Sequence, residues 1–194
     1  MKNEIKLIPT ASQTVGPYFH LGLTNPRSVE RIAGPAAGGE HILLLCAVTD
    51  GDGVPVPDSM IEIWQANSEG KYDHPEDTQD KKIDSACGGF GRMGSDAQGQ
   101  MRFETIRPGR IPGPHNRLQA PHLNVSVFAR GLLKRLATRI YFAGDPANDQ
   151  DPILALVPSD RRATLLAIPD PAIPGLWRFD VRLQGEQETV FFDV

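Results

Sequence analysis

His122 and Asn124 stand two apart in APHLNVSVFARG, residues 120–131, a stretch that reads as a β-strand. Residues two apart on a strand share a face. A histidine at each place would be half of a metal site, and asparagine at the second withholds that nitrogen. The remaining histidines are His20, His41, His74 and His115, and no HxH, HxxxH or HExxH spacing occurs. A metal centre built by this chain would have to gather ligands from distant loops. No GxSxG elbow, P-loop or GxGxxG is present. GGFGR at 88–92 is glycine-rich, but no helix start follows it, so it is not read as a phosphate cradle.

The elements that must position these residues are mostly strands. HILLLCAVTD, from residue 41, is a continuous apolar run and reads as a central strand, followed by the turn signal DGDGVP. SMIEIWQA alternates in part. GQMRFETIRPG alternates well, with Met101, Phe103 and Thr105 on one face and Arg102 and Glu104 on the other. LNVSVFARG and RLATRIYFAGD add two strands. LWRFDVRLQ places Trp177, Phe179, Val181 and Leu183 opposite Arg178, Asp180, Arg182 and Gln184. SDRRATLLA, 159–167, is the helix candidate, with Ser159 as its N-cap. Short strands between turn clusters, with one short helix, predict a mainly β fold: a β-sandwich or open mixed barrel. Residues 1–40 read as an extended N-terminal arm and 41–194 as the sandwich domain. Trp64 and Trp177 are expected in the core, and HPEDTQD, 74–80, in a solvated loop.

Bulk properties narrow the function. The 194 residues suit one domain. Net charge is −4 with no stripe of Lys and Arg, which argues against nucleic acid. No apolar stretch approaches the roughly 20 residues needed to span a bilayer. MKNEIKLIPTASQTVGPYF has no apolar signal-peptide segment, so a cytoplasmic location is the expectation. Cys46 and Cys87 lack a CxxC spacing and are expected as buried thiols.

Several stretches point further when taken in order: SQTVGPYF, IEIWQANSEGKYDH, GGFGR, FETIRPG, PHLNVSVFARG and GEQETVFFDV. Together, from about residue 8 to 194, they resemble the intradiol ring-cleaving dioxygenases. The resemblance implies a non-haem Fe(III) site of two tyrosines and two histidines. Phenolate oxygen suits a hard ferric ion, and the ion's charge favours tyrosine deprotonation. The four family positions fall on Tyr72, Ile111, His122 and Asn124. Isoleucine has no donor atom, and the neutral asparagine oxygen is a poor replacement for imidazole. These positions are therefore read as vestigial, and this chain is expected to hold no metal.

One branch of the family joins two homologous chains, of which one bears the iron, and VFARG with the GEQETVFFD ending resembles its iron-free chain. That likeness implies an iron-binding beta chain as partner, holding the Fe(III), in a higher-order hetero-oligomer. It also implies protocatechuate and O₂ as substrates, on the β-ketoadipate route of aromatic catabolism. Thr14, Gly16, Pro17, Tyr18 and Arg130 would then lend the partner's pocket a surface. A guanidinium suits the substrate carboxylate. Arg130 and His122 share strand parity but lie roughly 26 Å apart on a straight strand, so they serve different sites.

Two other readings stand beside this one. An independent iron enzyme would need substitute ligands such as His74 or His115. A non-enzymatic β-sandwich would bind a ligand or another protein.

Overall fold

The structure, a computed structural model, describes residues 11–16, 18–24 and 27–194, the side chain of Tyr18 excepted. Its strands are β1 (His41–Thr49), β2 (Met60–Trp64), β3 (Phe90–Gly94), β4 (Gln100–Ile106), β5 (His122–Phe128), β6 (Leu136–Phe142), β7 (Leu166–Pro169) and β8 (Leu176–Arg182). They follow the order β3-β2-β5-β6-β7-β8-β1-β4. The β1–β8 and β6–β7 pairs are parallel and the others antiparallel. The two halves of this sheet fold face to face. Ile61, Ile63, Leu123, Val125, Val127 and Ile140 from one half meet Leu44, Cys46, Val48, Phe103, Phe179 and Val181 from the other in a single core. The expected mainly β sandwich or open mixed barrel is therefore the fold.

Alternation explains the clearest strands. In β4, Met101, Phe103 and Thr105 are buried while Arg102 is exposed. Arg102 and Glu104 reach outward to the segment preceding β1, through the pairs Arg102–Glu30 and Arg31–Glu104. In β8, Trp177, Phe179 and Val181 face the core and Arg178 and Asp180 face solvent. Cys46 and Cys87 are buried free thiols. No helix among the described residues is long and apolar enough to cross a membrane.

Three expectations are corrected. The α-helix lies at α1 (Tyr18–Leu23), not at 159–167. Residues Arg162–Leu165 form one 3-10 turn, and Leu166–Pro169 leaves it as strand β7. Ser159 caps nothing there, and the chain is drawn into the gap between β6 and β8, where β7 joins the two halves. Trp64 is only half-buried and sits outside the main core, whereas Trp177 packs edge-on against Phe142 within it. The acidic loop is not wholly solvated. Asp77 is half-buried and accepts hydrogen bonds from the backbone N–H groups of Tyr72 and Gln79 and from Lys71 Nζ.

Candidate functional site

On β5, Leu123, Val125 and Val127 point into the core, so His122, Asn124 and Ser126 share the opposite face. Asn124 aligns with Trp64 of β2 on one side and Arg139 of β6 on the other. Its side-chain amide donates to the Tyr72 hydroxyl at 3.0 Å and to the Trp64 carbonyl at 3.3 Å. The Trp64 ring stacks on Tyr72, with centroids 5.7 Å apart and planes inclined by 15°.

Tyr72 is carried there by a rigid loop. The Asn67 carboxamide oxygen accepts from the N–H groups of Glu69 and Lys71, which folds the chain into a tight turn. Gly70 sits at φ +76°, and a methyl group at its Cα would collide with the Arg110 carbonyl. Gly109 is packed as closely against the 68–70 backbone. These two glycines let the loop after β2 meet the loop after β4. The contact sets Ile111 on the wall of the cavity, about 400 Å³, that also holds Tyr72, Trp64 and His74.

His122 is separated from this pair by its own bonding. Its Nδ1–H donates to the Ala120 carbonyl at 2.8 Å, and its buried Nε2 has no hydrogen-bond partner among the described residues. Burial, reinforced by the Arg139 charge, lowers its pKa to about 4. Burial raises the Tyr72 pKa, against the opposing effects of the Asn124 hydrogen bond and Arg139. Tyr72 and His122 are thus both held neutral at pH 7.

This set does not fit a ferric ion. Ile111 offers hydrocarbon where a donor would stand, and Asn124 turns its N–H groups, not an anionic oxygen, toward Tyr72, whose hydroxyl accepts from that amide. The substitute ligands fare no better. His74 stands edge-on to Trp64 at 6.3 Å, and its Nδ1 accepts from the Glu76 N–H. His115 is exposed, on a one-turn 3-10 segment. Among the described residues, no three His, Cys, Asp or Glu side chains converge as a metal site.

Arg130 lies past the far end of β5, in an exposed turn. Its Nε donates to Asp58, and its two terminal nitrogens make no hydrogen bond among the described residues. The next residue, Gly131, donates its N–H to Thr14 Oγ1 at 2.7 Å. Thr14 and Arg130 therefore meet on one surface. The exposed Gly16 accepts from the Phe19 N–H as α1 begins, and a methyl group at Gly16 would have open space around it. Pro17 and the Tyr18 side chain lie outside the described residues.

Sequence reading missed three residues. Asp58 has no local signature, because it meets Arg130 across 72 residues. Arg139 had a usable signal, since its parity in RLATRIYF places it opposite Ile140 and Phe142. Asp151 is fully buried, where it accepts from the N–H groups of Ala120, Ile153 and Leu154 and from the Tyr141 hydroxyl.

A family profile described as Dioxygenase matches residues 15–185. With the sandwich fold and the relatives below, the chain belongs to the intradiol ring-cleavage dioxygenases. It is similar to the protocatechuate 3,4-dioxygenase alpha chain of Burkholderia cepacia, 46% identical over 198 residues that cover 95% of this chain and 97% of that one. It is also 40% identical over 131 residues to the beta chain of that species' enzyme, covering 66% of this chain and 56% of that one. Among solved structures, the dioxygenase domain of a carbohydrate-binding fusion from Streptomyces sp. SirexAA-E superposes with a TM-score of 0.62 at 27% identity, covering 92% of this chain and 99% of that one.

Proposed function

We propose that this chain is the iron-free member of a two-chain protocatechuate 3,4-dioxygenase. Its beta partner holds Fe(III). The complex cleaves the ring of protocatechuate between its two hydroxylated carbons, both atoms of O₂ entering the product, 3-carboxy-cis,cis-muconate. In this reading the present chain supplies no ligand to the metal. It lends Thr14, Gly16, Pro17, Tyr18 and Arg130 to the wall of the partner's substrate pocket. The carboxylate that distinguishes protocatechuate from catechol would meet the open edge of the Arg130 guanidinium.

The observation that carries the reading is the pair Ile111 and Asn124. Two of four donor positions are disabled on two separate segments, in a chain 46% identical to an alpha chain. The bond between Gly131 and Thr14 supports the pocket surface, because it fastens the N-terminal segment beside Arg130.

The test is expression of the chain with and without its beta partner, counting iron and ring-cleaving turnover in each preparation. The expected result is negligible iron in the chain alone, and one iron per alpha–beta pair with activity in the complex. Stoichiometric iron with turnover in the isolated chain would sink the proposal.

A further inference from the structure

A second cavity, of about 640 Å³, opens on the outer face of β2, β5 and β6. Trp64, Phe90 and Phe192 give it aromatic walls, and Arg135 and Arg139 line it. Arg139 Nη1 donates to Gln119 Oε1 at 2.7 Å and to the Tyr141 hydroxyl at 3.3 Å. Its guanidinium carbon lies 6.0 Å from the Phe192 ring centroid. Arg135 Nη1 reaches Ser126 Oγ at 3.4 Å. Both partners of Arg139 are neutral, as is that of Arg135.

Neither arginine forms an ion pair among the described residues. Two acidic side chains, of Glu62 and Asp193, line the same cavity, and neither answers them. Glu62 is engaged by Arg92, at 2.7 Å from Nε and 2.5 Å from Nη2. Asp193 is exposed and pairs with neither arginine among the described residues. The Arg139 charge is felt across the face, where it acts to lower the pKa of both Tyr72 and His122.

We propose that this cavity binds a planar aromatic carboxylate, its ring between the Trp64, Phe90 and Phe192 walls and its carboxylate held by Arg139 and Arg135. Two guanidinium forks without counter-ions match a carboxylate through paired charge-assisted hydrogen bonds. Aromatic side chains favour a flat ring over an inorganic anion. The volume lies within the range of pockets that enclose small ligands. The site is additional to the pocket surface around Arg130 and belongs to this chain alone, so it needs neither iron nor a partner.

The test is titration of the isolated full-length chain with 4-hydroxybenzoate, followed by calorimetry and by tryptophan fluorescence. One saturable site per chain is expected, and the methyl ester of the same acid should not saturate it. Arg139→Gln should weaken binding at least tenfold and Arg135→Gln at least threefold, while Arg178→Gln, on β8 and outside the cavity, leaves it unchanged. Trp64→Phe should remove the fluorescence response and Trp177→Phe should retain it. Arg139 also braces Gln119, so Arg135→Gln, at an exposed position, serves as the variant whose fold is preserved. Absence of saturable binding at millimolar concentrations, equal binding of the ester, or unchanged affinity in folded Arg135→Gln would overturn the assignment. Iron counting in the complex is unaffected by any of these results, so the two proposals fail separately.

Discussion

The Asn124 carboxamide donates a hydrogen bond to the Tyr72 hydroxyl at 3.0 Å, across 52 residues of chain. Two residues that the family resemblance marks as expected metal positions thus satisfy each other, in a small structural network capped by the Trp64 ring. Tyr72→Phe should therefore cost about 1 kcal/mol of unfolding free energy, since Asn124 keeps the Trp64 carbonyl as an acceptor. Urea denaturation of the isolated chain measures this. Iron content of the alpha–beta complex should not change, and a fall in iron would show that Tyr72 is a ligand.

The loop carrying Tyr72 depends on close backbone contact. Gly70→Ala adds a methyl group where the Arg110 carbonyl stands, at a φ of +76° that disfavours any side chain. Overpacking against backbone and the left-handed strain together predict a loss of about 3 kcal/mol or more. Gly131→Ala is the comparison, because it has a similar φ of +88° but open space around its Cα. It should cost only the conformational part, about 1–2 kcal/mol. Similar losses in thermal or urea unfolding at both sites would show that packing of the 68–70 segment against 109–110 contributes little.

Arg130 is exposed and held at its Nε by Asp58. If its open edge receives the substrate carboxylate, Arg130→Leu in the alpha–beta complex should raise KM for protocatechuate by about tenfold or more. The KM for unsubstituted catechol should change little. Steady-state kinetics on both substrates separates the cases, and equal effects would remove the carboxylate role. Tyr18→Ala in the same complex should lower turnover and leave iron content intact, whereas loss of iron would place Tyr18 elsewhere.

Much of the scaffold was legible because alternation is local. Met101, Phe103 and Thr105, and again Trp177, Phe179 and Val181, announce their buried faces without outside information. The segment 159–167 misled because its apolar spacing fits a helix, while its conformation is decided by the two strands that receive it. The site's internal bonding was not legible. The family resemblance marks Tyr72, Ile111, His122 and Asn124 as expected metal positions, but no spacing rule reveals that Asn124 bonds to Tyr72 while His122 turns to Ala120. Asp77 shows the same limit from the polar side. It reads as part of a solvated loop, yet it is half-buried and accepts several hydrogen bonds that only the folded chain assembles.

His122 gives the fold a pH dependence whose sign follows from its burial. Its folded-state pKa is about 4, below an ordinary value of 6.5, because burial and the Arg139 charge disfavour the imidazolium. Between those values the unfolded chain binds the proton and the folded chain does not, so unfolding free energy rises with pH across that window. The contribution is complete above pH 6.5. It is lost progressively as pH falls toward 4, to a total of up to about 3 kcal/mol. His122→Gln keeps a hydrogen-bonding side chain but cannot titrate. Its unfolding free energy, measured by urea denaturation at pH 4.5 and 7.5, should therefore change less between the two than that of the unaltered chain. The unfolded-state carboxylates are common to both proteins and cancel in the comparison. An identical pH slope in the two would mean that His122 accepts its proton in the folded chain, with Nε2 open to solvent or to a buried acceptor.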